Sequence, residues 1–168
     1  MATTDELLGP ARTVLCLVGL SNHDNIGACF RNGAAFGANA VLLDETCGDP
    51  LYRKSIRVSS GTALTLPFAH GCSANELFVR LRANGFKIWC LTPHVCAASL
   101  AEMQRPDKLA LVLGTEGSGL PDHLIAQGTA VRIPMSEGFD SINVATAGAI
   151  ALSAVFVRGL DQPLSEIN

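Results

Sequence analysis

Short apolar runs alternate with polar or amphipathic stretches along the whole chain. The runs TVLCLVGL, FKIWCL and KLALVLG are continuous and apolar, which is typical of buried parallel strands. The predicted strands lie at residues 13–20, 40–43, 64–68, 86–91, 108–114 and 130–134. This alternation predicts an α/β fold with a mostly parallel sheet of about six strands and helices on both faces.

The intervening stretches predict helices. Ser21, Asn22 and Asp24 are helix starters after the first strand, and Gly37 can end that helix. Residues 49–61 begin with a helical pattern. Two further helices are predicted at residues 75–84 and at about 121–127.

The most distinctive stretch is 131–159, which predicts a strand, a polar loop and one long helix from about Ser141. Ser141 is a good N-cap, and Asp140 suits the positive end of the helix dipole. The helix is apolar on nearly every side, so we expect it to pack against the sheet and a second subunit. It is too short and too rich in small residues to span a membrane. Its open N-terminal end predicts a ligand pocket.

Composition narrows the class of protein. The chain has 168 residues, of which 48% are hydrophobic and 16% charged, which indicates one globular domain with a substantial core. The formal net charge of −3 argues against a strongly basic surface that wraps nucleic acid. A local basic face is still compatible with this net charge.

The cysteines predict a reducing environment. They form no CxxC pair, and several lie inside apolar runs, as expected of reduced, core-packed thiols and not of disulfides or a zinc site. The N-terminal sequence MATTDELLGPAR lacks the features of a signal peptide. We therefore expect a cytoplasmic protein.

Four predicted loops lie at the carboxyl edge of the sheet, where open α/β sheets bind ligands. They are SNHDNIG, TPH, TEGSGLP and MSEGFDS. No GxGxxG follows the first strand, and Gly114, Gly117 and Gly119 come late and in reversed spacing. This pattern disfavours a dinucleotide-dependent oxidoreductase. The glycine-rich turn alone is equally compatible with a tight connection.

Three segments carry a more specific pattern: NIGACFR, LVLGTEGSGLP and IPMSEGFDSINVATAGAIAL. The motif positions are Asn25, Gly27 and Arg31, then Gly114, Glu116 and Gly117, then Ile133, Pro134, Met135, Ser141, Ile142, Asn143 and Val144. In these motifs and their order, from about residue 13 to 158, the chain resembles the SpoU (TrmH) family of RNA ribose 2′-O-methyltransferases, within the SPOUT superfamily. Ile142 stands where the family has leucine, a conservative departure.

The resemblance implies an unusual topology. Knots are normally a reason to reject a fold, yet this family implies a C-terminal trefoil knot in which the last loop and helix thread through an earlier loop. It also implies a homodimer formed through the C-terminal helix region. We expect residues 1–168 to form a single methyltransferase domain without an accessory RNA-binding domain.

S-adenosylmethionine is the cofactor that the resemblance implies, with S-adenosylhomocysteine as product and no metal. The implied cofactor-binding residues are Leu91, Thr92, Gly114, Ile133, Met135 and Ile142.

Arg31 matches the family's catalytic arginine, which is often described as taking the 2′-hydroxyl proton. A guanidinium has a pKa above ~12 and rarely gives up its proton, so we prefer a phosphate clamp that also stabilises the forming alkoxide. A helix-dipole partner is the alternative role for Arg31. The other implied catalytic residues are Asn25, Glu116, Ser141 and Asn143, each with capping or loop structure as an alternative.

The RNA-binding candidates are Arg12, Arg53, Lys54 and Arg57, together with Arg31. For Arg53, Lys54 and Arg57, the alternative is that they only form a solvated helix face. His23 lies in the loop SNHDNIG after the first predicted strand, but a lone histidine in such a loop more often has no catalytic role. The function implied is methyl transfer to a ribose 2′-hydroxyl of tRNA or rRNA. A catalytically idle RNA-binding member of the same fold is the alternative.

Overall fold

The computed structural model describes residues 3–160. The helices are α1 (Thr4–Leu8), α2 (His23–Ala35), α3 (Arg53–Val58), α4 (Ala74–Ala83), α5 (Asp122–Ile125) and α6 (Val144–Leu160), with short 3-10 helices at Thr62–Leu64 and Leu100–Glu102. The strands are β1 (Thr13–Leu17), β2 (Ala40–Asp44), β3 (Phe68–Cys72), β4 (Lys87–Leu91), β5 (Ala98–Ser99), β6 (Leu109–Leu113) and β7 (Thr129–Arg132).

These strands form one sheet in the order β3-β2-β1-β6-β4-β7-β5. Every pairing within it is parallel. The predicted α/β class is confirmed. The strand count differs, because the structure has seven strands and the sequence predicts about six. The extra strand, β5, pairs only Ala98 with Val131 and Ser99 with Arg132, which is too short to leave a hydrophobic run.

Alternating side chains of the central strands face two separate cores. Leu15 and Leu17 of β1 pack in one core with residues of α2 and α6. Val14 and Cys16 face the other core, which contains residues of α1, α4 and α5. Strands buried on both faces must be apolar throughout. This explains the continuous runs of the sequence and confirms helices on both faces.

The strand predicted at residues 64–68 is wrong. A 3-10 helix covers Thr62–Leu64, and β3 begins only at Phe68. Pro67 lies before it and contributes only its carbonyl, which accepts the amide of Val41 at 2.9 Å. Proline has no amide to donate to the ladder, so regular pairing begins after it.

Two helix boundaries also differ from the sequence predictions. Within residues 49–61 only Arg53–Val58 is α-helical, and the stretch ends in left-handed backbone at Ser60 and Gly61. The last helix begins at Val144 and not at Ser141. The threading of this helix through an earlier loop stays a prediction. Within the part of the chain that the structure describes, no helix is long and apolar enough to cross a membrane.

The thiols are free, and Cys16, Cys29, Cys47 and Cys90 are buried, whereas Cys72 is half-buried and Cys96 is exposed. Burial raises the pKa of Cys16 strongly and those of Cys29, Cys47 and Cys90 to about 12. The prediction of reduced core thiols therefore describes most of the set, and Cys96 is the clear departure from it.

These raised pKa values predict alkaline destabilisation. In the unfolded chain the thiols ionise near pH ~8.5, so their contribution to stability is fully present below that pH. It is lost as the pH rises towards 12, because only the unfolded state releases the protons. Thermal unfolding under reducing conditions should show a falling midpoint above about pH 9. The decline should be shallower in Cys29→Ala and unchanged in the exposed control Cys96→Ala. Equal slopes in all three proteins would contradict this account.

Candidate functional site

A cavity of about 320 Å³ opens at the carboxyl ends of three neighbouring strands, β6, β4 and β7. Leu91 ends β4, Gly114 directly follows β6, and Ile133 directly follows β7. The start of α6 forms another wall, through Val144 and Ala147. The volume lies in the range of small-molecule sites.

The structure brings the predicted cofactor residues together around this one cavity. Its lining includes all of Leu91, Thr92, Gly114, Ile133, Met135 and Ile142. Thr92 is buried, and its amide donates to the carbonyl of Val131 at 3.0 Å. That bond ties the loop after β4 to strand β7 and fixes the cavity wall.

Asn143 joins the three sequence motifs at the mouth of the cavity. Its Nδ2 atom donates to Oδ1 of Asn25 at 3.0 Å and to Oε1 of Glu116 at 2.8 Å. Asn25 is buried in the first turn of α2, whereas Glu116 is exposed in the turn after β6. Three of the predicted catalytic residues therefore form one hydrogen-bonded group.

The same asparagine caps α6. Its Oδ1 atom accepts the amides of Ala145 at 2.9 Å and Thr146 at 3.1 Å, the pattern of an N-cap side chain. The sequence predicts Ser141 for this role, and that prediction is wrong. Ser141 instead lies exposed on the loop before α6, where it lines the cavity.

Gly114 is required by the tight TEGSGL turn. A Cβ atom at this position would lie 2.4 Å from the amide nitrogen of Leu120 and 2.5 Å from the carbonyl carbon of Gly119. Both are backbone atoms of the turn, which is also closed by the bond from the Gly119 amide to the Thr115 carbonyl at 3.1 Å. The glycine thus lets the turn fold back against the end of β6.

Gly114→Ala should therefore destabilise the protein by at least about 2 kcal/mol, because neither neighbouring backbone atom can move without opening the turn. Gly9→Ala is the matched control, since the nearest atom to its added Cβ is 3.8 Å away. We expect the control to stay within about 0.5 kcal/mol of wild type. Urea unfolding measures both, and equal stabilities would show that the turn relaxes freely.

Arg31 stands apart from the group that surrounds Asn143. It lies on α2 and is exposed, and it does not line the cavity. Within residues 3–160 it makes no hydrogen bond or ion pair. The next residue, Asn32, donates its Nδ2 to the carbonyl of Ala145 at 2.9 Å, so α2 and α6 are tied together on the same face of the sheet.

The predicted RNA-binding residues divide between two places. Arg53, Lys54 and Arg57 line a surface cavity with Tyr52, and we call these four residues the basic groove. Arg12 precedes β1 and therefore lies at the amino edge of the sheet, opposite the first cavity. The structure does not bring Arg12 together with the others.

Sequence reasoning missed some contributing residues. Leu113, Thr115 and Val131 also line the cavity, and Asn32 ties α2 to α6. Leu113 is the last residue of β6 and Val131 the penultimate residue of β7, and a position near a strand end is a signal that could have identified them. Asn32 carries no comparable signal. Across the described residues 3–160, no cluster of three or more histidine, cysteine, aspartate or glutamate side chains is placed to hold a metal ion.

A parallel sheet covered on both faces, with a cavity at the carboxyl ends of its strands, defines an α/β ligand-binding domain. Comparison with known families gives a closer assignment. The sequence profile of the SpoU rRNA Methylase family matches residues 12–153, and the chain belongs to that family. The predicted resemblance is confirmed.

Curated relatives match most of the chain. An uncharacterized tRNA/rRNA methyltransferase of Mycobacterium tuberculosis is 41% identical over 150 residues, covering 87% of this chain and 52% of the relative. The 23S rRNA (guanosine-2′-O-)-methyltransferase RlmB of Vibrio vulnificus is 28% identical over 154 residues, covering 88% and 61%. The chain thus spans about half the length of these mycobacterial relatives.

Solved structures agree on the fold. An RNA 2′-O ribose methyltransferase matches with a TM-score of 0.81 and 30% identity, covering 90% of this chain and 58% of the other. The SpoU methyltransferase AviRb from Streptomyces viridochromogenes, in complex with AdoMet, matches with a TM-score of 0.86 and 22% identity, covering 95% and 66%. The second likeness is one of fold alone.

Proposed function

We propose that this protein transfers a methyl group from S-adenosylmethionine to a ribose 2′-hydroxyl of tRNA or rRNA. The observation that carries the proposal is the hydrogen-bonded group of Asn25, Glu116 and Asn143. This group joins the three family motifs beside a cavity, and every predicted cofactor-binding residue lines that cavity. Membership of the SpoU rRNA Methylase family and the RlmB relative support the same reaction.

The cavity fits the proposed methyl donor. Its walls combine apolar side chains such as Leu91, Ile133 and Ile142 with the backbone of the turn at Gly114, which suits an adenosine ring system and its sugar. When bound, S-adenosylmethionine supplies an electrophilic methyl group on a sulfonium. The residues that would hold it are those that line the cavity at the ends of β4, β6 and β7.

Arg31 is our candidate for the group that acts on the acceptor. Because it is exposed and unpaired within residues 3–160, its planar guanidinium is available to a phosphate and to a developing alkoxide. Asn143 and Asn25 are positioning residues, since they hold the start of α6 against α2. Glu116 accepts from Asn143 and holds the turn after β6 in the same group.

The basic groove is our candidate for the RNA backbone contact. It lies on α3, which packs against α2 closely enough that a Cβ at Gly27 would lie 2.6 Å from the carbonyl oxygen of Ser55. A short cationic groove gives modest and salt-sensitive affinity.

We also propose that the protein is cytoplasmic, in keeping with its free thiols. One domain over residues 1–168 stays a prediction.

We further propose a homodimer formed through α6. Phe156 and Val157 are 41% and 52% exposed, and Phe36, the residue that follows α2, contacts Phe156 with ring centroids 6.4 Å apart. A second copy would cover this apolar patch. Val157→Glu should therefore shift sedimentation from dimer to monomer, because it buries a charge in the contact. Val79→Glu on α4, which is equally exposed at 57%, is the control. A monomeric wild type would refute the dimer.

The reaction is tested with labelled S-adenosylmethionine and total tRNA or rRNA from cells that lack this gene. We expect label in RNA at sites that resist alkaline cleavage, since a methylated 2′-oxygen cannot attack the adjacent phosphate. Label in alkali-sensitive positions would indicate methylation of a base instead. RNA binding without uptake of S-adenosylmethionine in calorimetry would favour the catalytically idle alternative.

A further inference from the structure

The basic groove has an aromatic member that the proposed reaction does not use. The groove encloses about 520 Å³, and Tyr52 contributes a side chain that is 47% exposed. The tyrosine ring packs against the imidazole of His23, with centroids 4.5 Å apart and planes inclined by 43°. The two rings form a small aromatic surface at the edge of the groove.

The segment that follows Tyr52 is anchored to α2. The hydroxyl of Ser55 donates to the carbonyl of His23 at 3.2 Å, which fixes α3 against the first turn of α2. Tyr52 is the N-cap residue of α3, but its side chain makes no capping hydrogen bond. The ring is therefore positioned by the backbone and its hydroxyl is not needed to hold the helix.

The charges around the rings favour an anion. Arg53 and Arg57 are exposed and make no ion pair within residues 3–160, whereas Lys54 pairs with Asp24 at 2.7 Å. Three cations on one short helix stand out in a chain whose formal net charge is −3. Cations beside an exposed aromatic ring are the combination that binds phosphates and stacks unpaired bases of single-stranded RNA.

The aromatic surface also lies close to the candidate active site. His23 is two residues from Asn25, so their Cα atoms are at most about 7 Å apart. Asn25 in turn accepts the hydrogen bond from Asn143 at the mouth of the first cavity. A nucleotide on Tyr52 would therefore bind next to the first turn of α2, which carries Asn25.

We propose that Tyr52, supported by His23, stacks the unpaired base of a nucleotide adjacent to the methylated one, while Arg53 and Arg57 hold its phosphates. This inference rests on the proposed function and narrows the substrate class to RNA whose target lies in a single-stranded loop. A base within an RNA duplex cannot stack on Tyr52, because the neighbouring base pairs already cover both of its faces.

The test uses a single-stranded RNA of about seven nucleotides that carries one 2-aminopurine, and the same strand in a duplex. Stacking quenches 2-aminopurine fluorescence. We expect wild type and Tyr52→Phe to quench the single strand, and Tyr52→Ala to lose the quenching and bind about ten-fold more weakly. Arg57→Gln should weaken binding and lower its salt dependence, but retain the quenching at saturation.

Thermal unfolding of each variant accompanies these titrations, and His23→Ala provides a second variant of the aromatic surface. Equal quenching by wild type and Tyr52→Ala, or equal affinity for single strand and duplex, would overturn the inference. Methyl transfer is measured separately. Tyr52-dependent quenching without methyl transfer would refute the proposed function and leave the stacking site in place. Methyl transfer that tolerates Tyr52→Ala would refute the stacking site alone.

Discussion

Replacing Arg31 with alanine is expected to lower methyl transfer by at least about 100-fold, the loss typical of removing one preorganised donor from a developing charge. The affinity for S-adenosylmethionine should not change, because Arg31 does not line the cavity that contains the predicted cofactor residues. Stability should not change either, since the side chain is exposed and unpaired within residues 3–160. Single-turnover kinetics and calorimetry separate these effects.

Two further variants make the Arg31 result interpretable. Arg31→Lys keeps the charge but loses the planar fork, so a bidentate clamp predicts only a small rescue of the rate. Arg82→Ala removes an exposed arginine from α4, which lies on the opposite face of the sheet. Because Arg82 donates to Gln127, this variant is the control for methyl transfer and not for stability. Wild-type transfer by Arg31→Ala would remove this residue from the mechanism. Loss of cofactor affinity would instead place Arg31 at the methyl donor.

Asn143→Asp should separate the two roles of this side chain. The new carboxylate can still accept the amides of Ala145 and Thr146 and cap α6. It cannot donate to Asn25 or Glu116, so both links between the motifs are lost. We expect methyl transfer to fall by about 10- to 100-fold. Stability should fall by about 1–3 kcal/mol, because the new carboxylate lies against that of Glu116 and the buried Oδ1 of Asn25 loses its donor. Asn143→Ala should lose the cap as well, and about 1 kcal/mol of stability with it.

A second substitution provides a rescue experiment. In Asn143→Asp combined with Glu116→Gln, the glutamine amide can donate to the new carboxylate and restore one link with reversed polarity. We expect the double variant to exceed Asn143→Asp in methyl transfer, measured together with unfolding in urea. A double variant no better than the product of its single changes would show that the contact with Glu116 does not position the site.

Much of the fold could be predicted because the central strands are buried on both faces. Residues 13–20 and 108–114 can be continuous apolar runs only if helices cover both sides of the sheet, and the two cores around Leu15 and Val14 show this arrangement. Strand β5 and the start of β3 could not be predicted in the same way. Ala98–Ser99 is too short for periodicity, and the boundary at Phe68 depends on the missing amide of Pro67.

The candidate site was predictable as a set of residues but not as a geometry. The motifs identify Asn25, Glu116 and Asn143 individually, whereas their shared hydrogen bonds depend on a tertiary arrangement that no local pattern encodes. The N-cap illustrates the same limit. Both Ser141 and Asn143 have suitable side chains, and only the contacts of Asn143 with the other motifs decide between them.

The bond between Asn143 and Asn25 joins positions 118 residues apart in the chain. Contacts of such long sequence separation form slowly, since the loop must close before any of its interactions can stabilise it. On the ribosome, α2 and most of the sheet leave the exit tunnel well before α6 does. We therefore expect the central strands to mature first and the ligand cleft to be the last region of a nascent chain to gain protection from hydrogen exchange.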